Sequence, residues 1–170
     1  MNIVIRPVEP DEIAKLGDIE RSAGELFRDY GMDDVAEGAV ISPEFAISFT
    51  RYGAALVADV DGKLAGFALV APYDNHAHLY EVSVAQGFQG VGIGRQLVEA
   101  VNSWAQENDF KAITLSTFSD VPWNAPFYAK LGFHKMDAHE WTPAFYVLRA
   151  HEEEAGLDIE RRCFMKKDLS

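Results

Sequence analysis

Three alternating glycines stand at the only place in the chain where a β-branched run gives way directly to a long amphipathic helix pattern: Gln89-Gly90-Val91-Gly92-Ile93-Gly94-Arg95. Upstream, His78 to Val84 reads as a strand, and the spacing predicts a helix over 90–108, with Ile93, Leu97, Val101, Trp104 and Ala105 recurring at three and four. Glycines at such a junction let a ligand approach the backbone closely, and the first turn of the helix points free amides at it. Those amides and the positive end of the helix dipole suit phosphate, with Arg95 as an added charge-assisted contact. The alternative is a turn needed only to pack helix against sheet.

The rest of the chain supplies the frame. Ile3, Val4 and Ile5 form a short strand closed by Pro7, and Pro10-Asp11-Glu12 opens a helix with Ile13, Leu16 and Ile19 on one face. A second helical stretch lies near Ser22 to Tyr30, and residues 31 to 43 read as a mobile or binding loop. Ala54 to Val60 and Leu64 to Ala71 are apolar runs joined by Asp61-Gly62, a hairpin signal. Strands follow at Ala112 to Thr117, Phe133 to Met136 and Arg161 to Lys166, with a helix at Pro122 to Leu131. The order implies one sheet, antiparallel in its first half, with a parallel strand-helix-strand unit. At 170 residues one domain spanning 1–170 is expected.

Composition narrows the partners. A net charge of −12 opposes binding to a phosphate backbone, so nucleic acid is not an expected partner, while the same field favours a cationic one. No apolar run approaches the ~20 residues of a membrane span and no signal-peptide pattern opens the chain, which gives a cytoplasmic expectation with no membrane partner. Cys163 is the single cysteine. His76 and His78 form a His-x-His pair with no evident third ligand, so no metal is expected. A Walker-type phosphate loop fails because Gly94 is followed by Arg95-Gln96 and not Lys-Ser/Thr. A dinucleotide fingerprint fits poorly, with Arg95 at its third glycine and Ser116-Thr117 where an acid is needed.

The segment Gln89 to Gly94 resembles the first signature of the GNAT superfamily of N-acetyltransferases, Gln/Arg-x-x-Gly-x-Gly/Ala after the fourth strand. Asn124-Ala125-Pro126-Phe127-Tyr128-Ala129-Lys130-Leu131-Gly132-Phe133 resembles its second. The likeness runs from about residue 54 to 136; the first strand and two helices agree in order only, and 137 to 160 are not covered. It implies an α/β, single-domain acyl-CoA N-acyltransferase fold with a mixed central sheet flanked by helices. It also implies acetyl-coenzyme A as donor and an amine acceptor, of a small molecule or of a peptide or protein; a non-catalytic module that only holds the coenzyme is the contrasting reading.

By that resemblance the fourth and fifth strands part to admit the donor. Its pyrophosphate would meet the amides of Gln89, Gly90, Val91, Gly92, Ile93 and Gly94 near Arg95, and its pantetheine would pair with Val82 and Val84. Asn124 and Phe127 would flank it, and an amide near Val84 would face the developing oxyanion. Tyr128 occupies the family's position for the acid that protonates the leaving thiolate, and His78 a position where a base often stands; Glu81 matches a frequent acid. Strand alternation places His78 and Tyr80 with Val82 and Val84, and Glu81 opposite. Phe27, Tyr73, Trp123 and Trp141 are candidates for an aromatic acceptor pocket. Glu152-Glu153-Glu154 reads as a solvated helix face, and the segment after Met136 as a lid or a homodimer interface.

Overall fold

Asp61 and Gly62 both adopt positive φ, 52° and 88°, and turn β2 (Ala54–Val60) tightly back into β3 (Lys63–Tyr73). The computed structural model describes residues 1–170 and builds on this hairpin a seven-stranded sheet. β1 (Ile3–Pro7) pairs antiparallel with β2, and β4 (His76–Val84) antiparallel with β3. β5 (Ala112–Phe118) runs parallel to β4, and β7 (Arg162–Asp168) and the two-residue β6 (His134–Lys135) complete the order β1-β2-β3-β4-β5-β7-β6. The expected parallel unit is therefore present, and the antiparallel pairing extends to the far edge.

Helices cover both faces. On one lie α4 (Ile93–Glu107) and α5 (Ala125–Lys130), whose Ile93, Leu97, Val101 and Tyr128 join Ala77, Leu79, Ile113 and Leu115 in the larger core. On the other, α1 (Leu16–Gly24) and α3 (Pro43–Tyr52) bury Leu16, Ile19, Ala46 and Phe49 against Val57, Phe67 and Leu69. A 3-10 turn at Glu25–Tyr30 takes up the second helical stretch expected near Ser22 to Tyr30, and the short α2 (Asp33–Ala36) lies within the expected loop. α3 had no counterpart in the sequence reading, although its start is well marked: Pro43 is its first residue, and Ser42 Oγ accepts from the Phe45 amide at 3.1 Å.

The segment after β6 forms α6 (Pro143–Glu154), whose Phe145 and Glu152 meet side chains of β4, β5 and β7. Phe145, fully buried, packs edge-on against Phe164 with centroids 5.1 Å apart and meets Tyr73, His76 and His78. Tyr73 Oη donates to the Ala144 carbonyl at 2.8 Å and ties the helix to the β3–β4 turn. Within the chain this segment completes a sheet face. No helix is long and apolar enough to cross a membrane.

Because α6 docks chiefly through one ring, Phe145→Ala is expected to cost about 3–5 kcal/mol. Thermal unfolding followed by circular dichroism should show a melting temperature lower by about 10 °C, at ~2–4 °C per kcal/mol for a domain of this size.

Candidate active site

β4 and β5 are paired only through Ala77–Ile113, His78–Thr114 and Leu79–Leu115. Beyond that point β4 keeps β3 and β5 keeps β7, so a seam opens in the middle of the sheet. The edge of β4 from Tyr80 to Val84 then has no strand partner on that side, and its polar groups need partners of another kind. The parting expected from the resemblance is thus present in the register.

The seam leads to the glycine turn. Gly90 and Gly92 hold φ of 79° and 88°, and a Cβ at either would meet nothing within 4 Å, so these glycines serve conformation and leave open space. Gly92 caps α4 in the left-handed region with no side-chain cap, and the amides of Ile93, Gly94 and Arg95 begin a fifteen-residue helix. Phe127 Cζ would lie 3.5 Å from a Cβ at Gly94, so α5 lies close against this turn. Val91 is exposed. Gln89 sends Nε2 back to the Val84 carbonyl at 2.9 Å, locking the turn to the end of β4. Arg95 directs Nε to Glu99 at 2.9 Å along the outer face of α4, and its backbone amide is what it presents at the turn. Asn124, at the start of α5, makes no capping bond with its side chain.

A bulge decides which side chains line the seam. The register jumps from Leu69–Glu81 to Val70–Leu79, leaving Tyr80 as an extra residue in β4. As a result Ala77 and Leu79 before it, and Val82 and Val84 after it, all face the α4–α5 core. His78, Tyr80, Glu81 and Ser83 all face the other side, where Tyr80 meets Phe49 at 5.1 Å and His78 at 4.7 Å. The expectation that His78 and Tyr80 share a face with Val82 and Val84 is corrected by this one inserted residue. Glu81 does face away from the valines.

Each ionisable group is shifted by its surroundings. His78 is 3% exposed, with Nδ1 2.7 Å from Thr114 Oγ1, and burial lowers its pKa to about 4. Glu81 is pushed up to about 8, first by burial and then by the charge of Glu20 on α1; a hydrogen bond donated by Ser83 Oγ at 2.9 Å and the charge of Arg162 pull the other way. Glu20, which accepts from the Ile41 amide at 2.7 Å, is itself raised by burial. Tyr128, 8% exposed, is raised by burial and by the charge of Glu81, so phenol and carboxyl sense one another although they belong to opposite faces. Glu20 escaped the sequence reading because nothing local marks it.

The far wall also departs from expectation. Glu152 is not on a solvated face: its side chain is 12% exposed, Oε2 lies 2.7 Å from Arg162 Nη2, and Ser116 Oγ donates to the same oxygen. Glu153 and Glu154 are exposed. Of the four candidate aromatics, Phe27 and Trp123 meet at 5.1 Å beside Tyr30 and Phe118, whereas Tyr73 and Trp141 belong to the packing around α6.

The model of the acetyltransferase (GNAT) family matches residues 19–133. An uncharacterized N-acetyltransferase of Pyropia yezoensis is 35% identical over 79 residues, 45% of this chain and 43% of that protein. A mycothiol acetyltransferase of Arthrobacter is 29% identical over 96 residues, 53% of this chain and 30% of its own length. The chain thus matches less than half the length of either curated relative. Among solved structures, the PaiA N-acetyltransferase of Thermoplasma acidophilum, crystallised with coenzyme A, superposes over 99% of this chain and 100% of its own with a TM-score of 0.71 at 18% identity, a likeness of fold.

Since the charge of Glu20 helps to raise Glu81, Glu20→Gln should lower the Glu81 pKa from about 8. A pH titration of the side-chain carboxyl carbons by nuclear magnetic resonance would register the downward movement.

Proposed function

Because this chain belongs to the GNAT acetyltransferase family, we propose that it transfers an acetyl group from acetyl-coenzyme A directly to the amine of a small molecule that arrives as a cation. The observation that carries this reading is the seam. It joins a phosphate-suited helix end on one face to a carboxyl–phenol pair, Glu81 and Tyr128, reaching it from opposite faces. The thioester brings an activated acyl group; everything else is asked of the chain.

Binding falls to the backbone. The amides at the start of α4 would receive the pyrophosphate, and the open edge of β4 around Val82 and Val84 would pair with the pantetheine amides as an added strand. Phe127 and Asn124 would close over it from α5. An amide on the same open edge would face the negative charge that develops on the carbonyl oxygen.

Proton traffic falls to two side chains. A primary amine with pKa ~10.4 must lose a proton before it attacks. Giving that proton to an ordinary carboxylate of pKa ~4.3 costs roughly 8 kcal/mol, and to Glu81 at about 8 it costs roughly 3. His78, at about 4 and tied to Thr114, has no such advantage, so the role of base passes in this proposal from His78 to Glu81, and His78 is left to packing. Tyr128 stays protonated to well above neutrality and can deliver its proton to the departing thiolate, recovering it from solvent afterwards.

Thiol release from acetyl-coenzyme A across a panel of amines tests the reading; coenzyme binding with no turnover on any amine would instead favour a coenzyme-binding module. Tyr128→Phe should leave coenzyme affinity within a few-fold and lower turnover about a hundredfold. Because Glu81 must be ionised to accept a proton, kcat/KM should fall as pH drops below about 8. That limb should vanish in Glu81→Gln, and a limb that persists there would remove Glu81 as base.

A further inference from the structure

We propose that the acceptor is an α-amino acid, its ammonium held at Glu81 and Glu20 and its carboxylate at Arg162 across the seam. This rests on the acetyl-transfer reading and names the substrate class for the same site.

The argument starts from a charge imbalance in the far wall. Two guanidiniums converge on one carboxylate there: Arg162 Nη2 lies 2.7 Å from Glu152 Oε2, and Arg149 Nε lies 3.3 Å from Glu152 Oε1. The three side chains are 13%, 18% and 12% exposed, so water compensates them poorly. One carboxylate cannot neutralise two cations. A surplus positive charge therefore sits in the wall of a chain whose net charge is −12.

The two arginines differ in what they have left to offer. Arg149 is stacked on Trp141 and Phe164 and donates Nη1 to the Ile159 carbonyl; its Nε and Nη2 make no hydrogen bond but are buried, out of the reach of solvent. Arg162 stacks on Phe118, 4.6 Å from the ring centroid, and bonds Glu152 and Ser116 through Nε and Nη2; those contacts leave Nη1 uncommitted. Arg162 pairs with Phe118 in the part of β5 that has already left β4, so it stands beside the opening of the seam. Glu81 senses its charge, and that attraction supports the placement.

On the opposite wall stand the acids Glu81 and Glu20, with Arg21 beside Glu20 already committed to the Ala36 and Gly38 carbonyls. A ligand that pairs both walls needs an ammonium and a carboxylate within the span over which Glu81 senses Arg162, and a planar guanidinium is well matched to carboxylate. A simple amine leaves the arginine surplus unpaired. A diamine would bring a second cation toward it.

The test offers each standard amino acid, its amide, ethylamine and putrescine with acetyl-coenzyme A, following thiol release. In parallel the same compounds are titrated calorimetrically into protein saturated with coenzyme A. At least one amino acid should exceed its amide tenfold or more in both kcat/KM and affinity. Arg162→Gln should erase that preference chiefly through KM, and Arg162→Lys should keep part of it. Should Arg162→Gln unfold the protein, Arg162→Met, which leaves Glu152 paired with Arg149 and puts no new polar group in the wall, serves in its place, with melting temperature as the check on folding. Amides, ethylamine or putrescine used as well as any amino acid would overturn the proposal, as would a preference that survives the loss of Arg162. If nothing is acetylated, the acetyl-transfer reading fails by itself. The titration then still decides: Arg162-dependent binding of amino acids over amides supports the assignment, and its lack refutes it.

Discussion

Three residue pairs hold β4 to β5, and the site depends on there being no fourth. A strand edge left open in the interior of a sheet carries amides and carbonyls that must find partners, because burying them unpaired costs on the order of 1–3 kcal/mol each. Here the opening is stabilised from both flanks. β3 and β7 hold the diverging strands over their full lengths, Gln89 anchors the end of β4, and α5 approaches the glycine turn through Phe127. The seam is therefore built into the register, and a ligand with amides of its own can complete the sheet.

The bulge at Tyr80 gives the seam its two chemistries. With regular alternation, the valines beyond the parting would have shared a face with His78. The extra residue instead keeps aliphatic side chains toward α4 and α5 on both sides of it, and sends Glu81 and Ser83 toward α1. One face then presents backbone and aliphatic surface, where the proposed function would lay the thioester arm, while the other presents titratable groups, where it would seat the acceptor. Glu81 owes its raised pKa to that placement, since burial and Glu20 act on it from the α1 side.

The parts readable from sequence are those fixed by local conformation. Gly90 and Gly92 mark left-handed backbone, Asp61-Gly62 marks a hairpin, and the three-and-four spacing after Ile93 marks α4. Tyr128 was placed through a second segment of recognisable pattern. What alternation misjudged was the parity of β4, because a bulge in the middle of an apolar strand leaves no turn residue to betray it. Glu20 and Arg162 were unreadable for a different reason. Their importance comes from β4, α1 and β7 meeting in space, and a Glu152-Glu153-Glu154 run looks solvated until Arg162 is seen to hold its first member. α3 is the plainer omission, since Ser42 and Pro43 announce it.

If the seam between β4 and β5 is the coenzyme site, then hydrogen exchange with and without saturating acetyl-coenzyme A is its most direct test. The amides of residues 80–95, spanning the open edge and the start of α4, should exchange more slowly with the coenzyme present, while those of β2 at Ala54–Val60 should not change. Exchange at 80–95 that is indifferent to acetyl-coenzyme A, or protection concentrated elsewhere in the chain, would contradict the account.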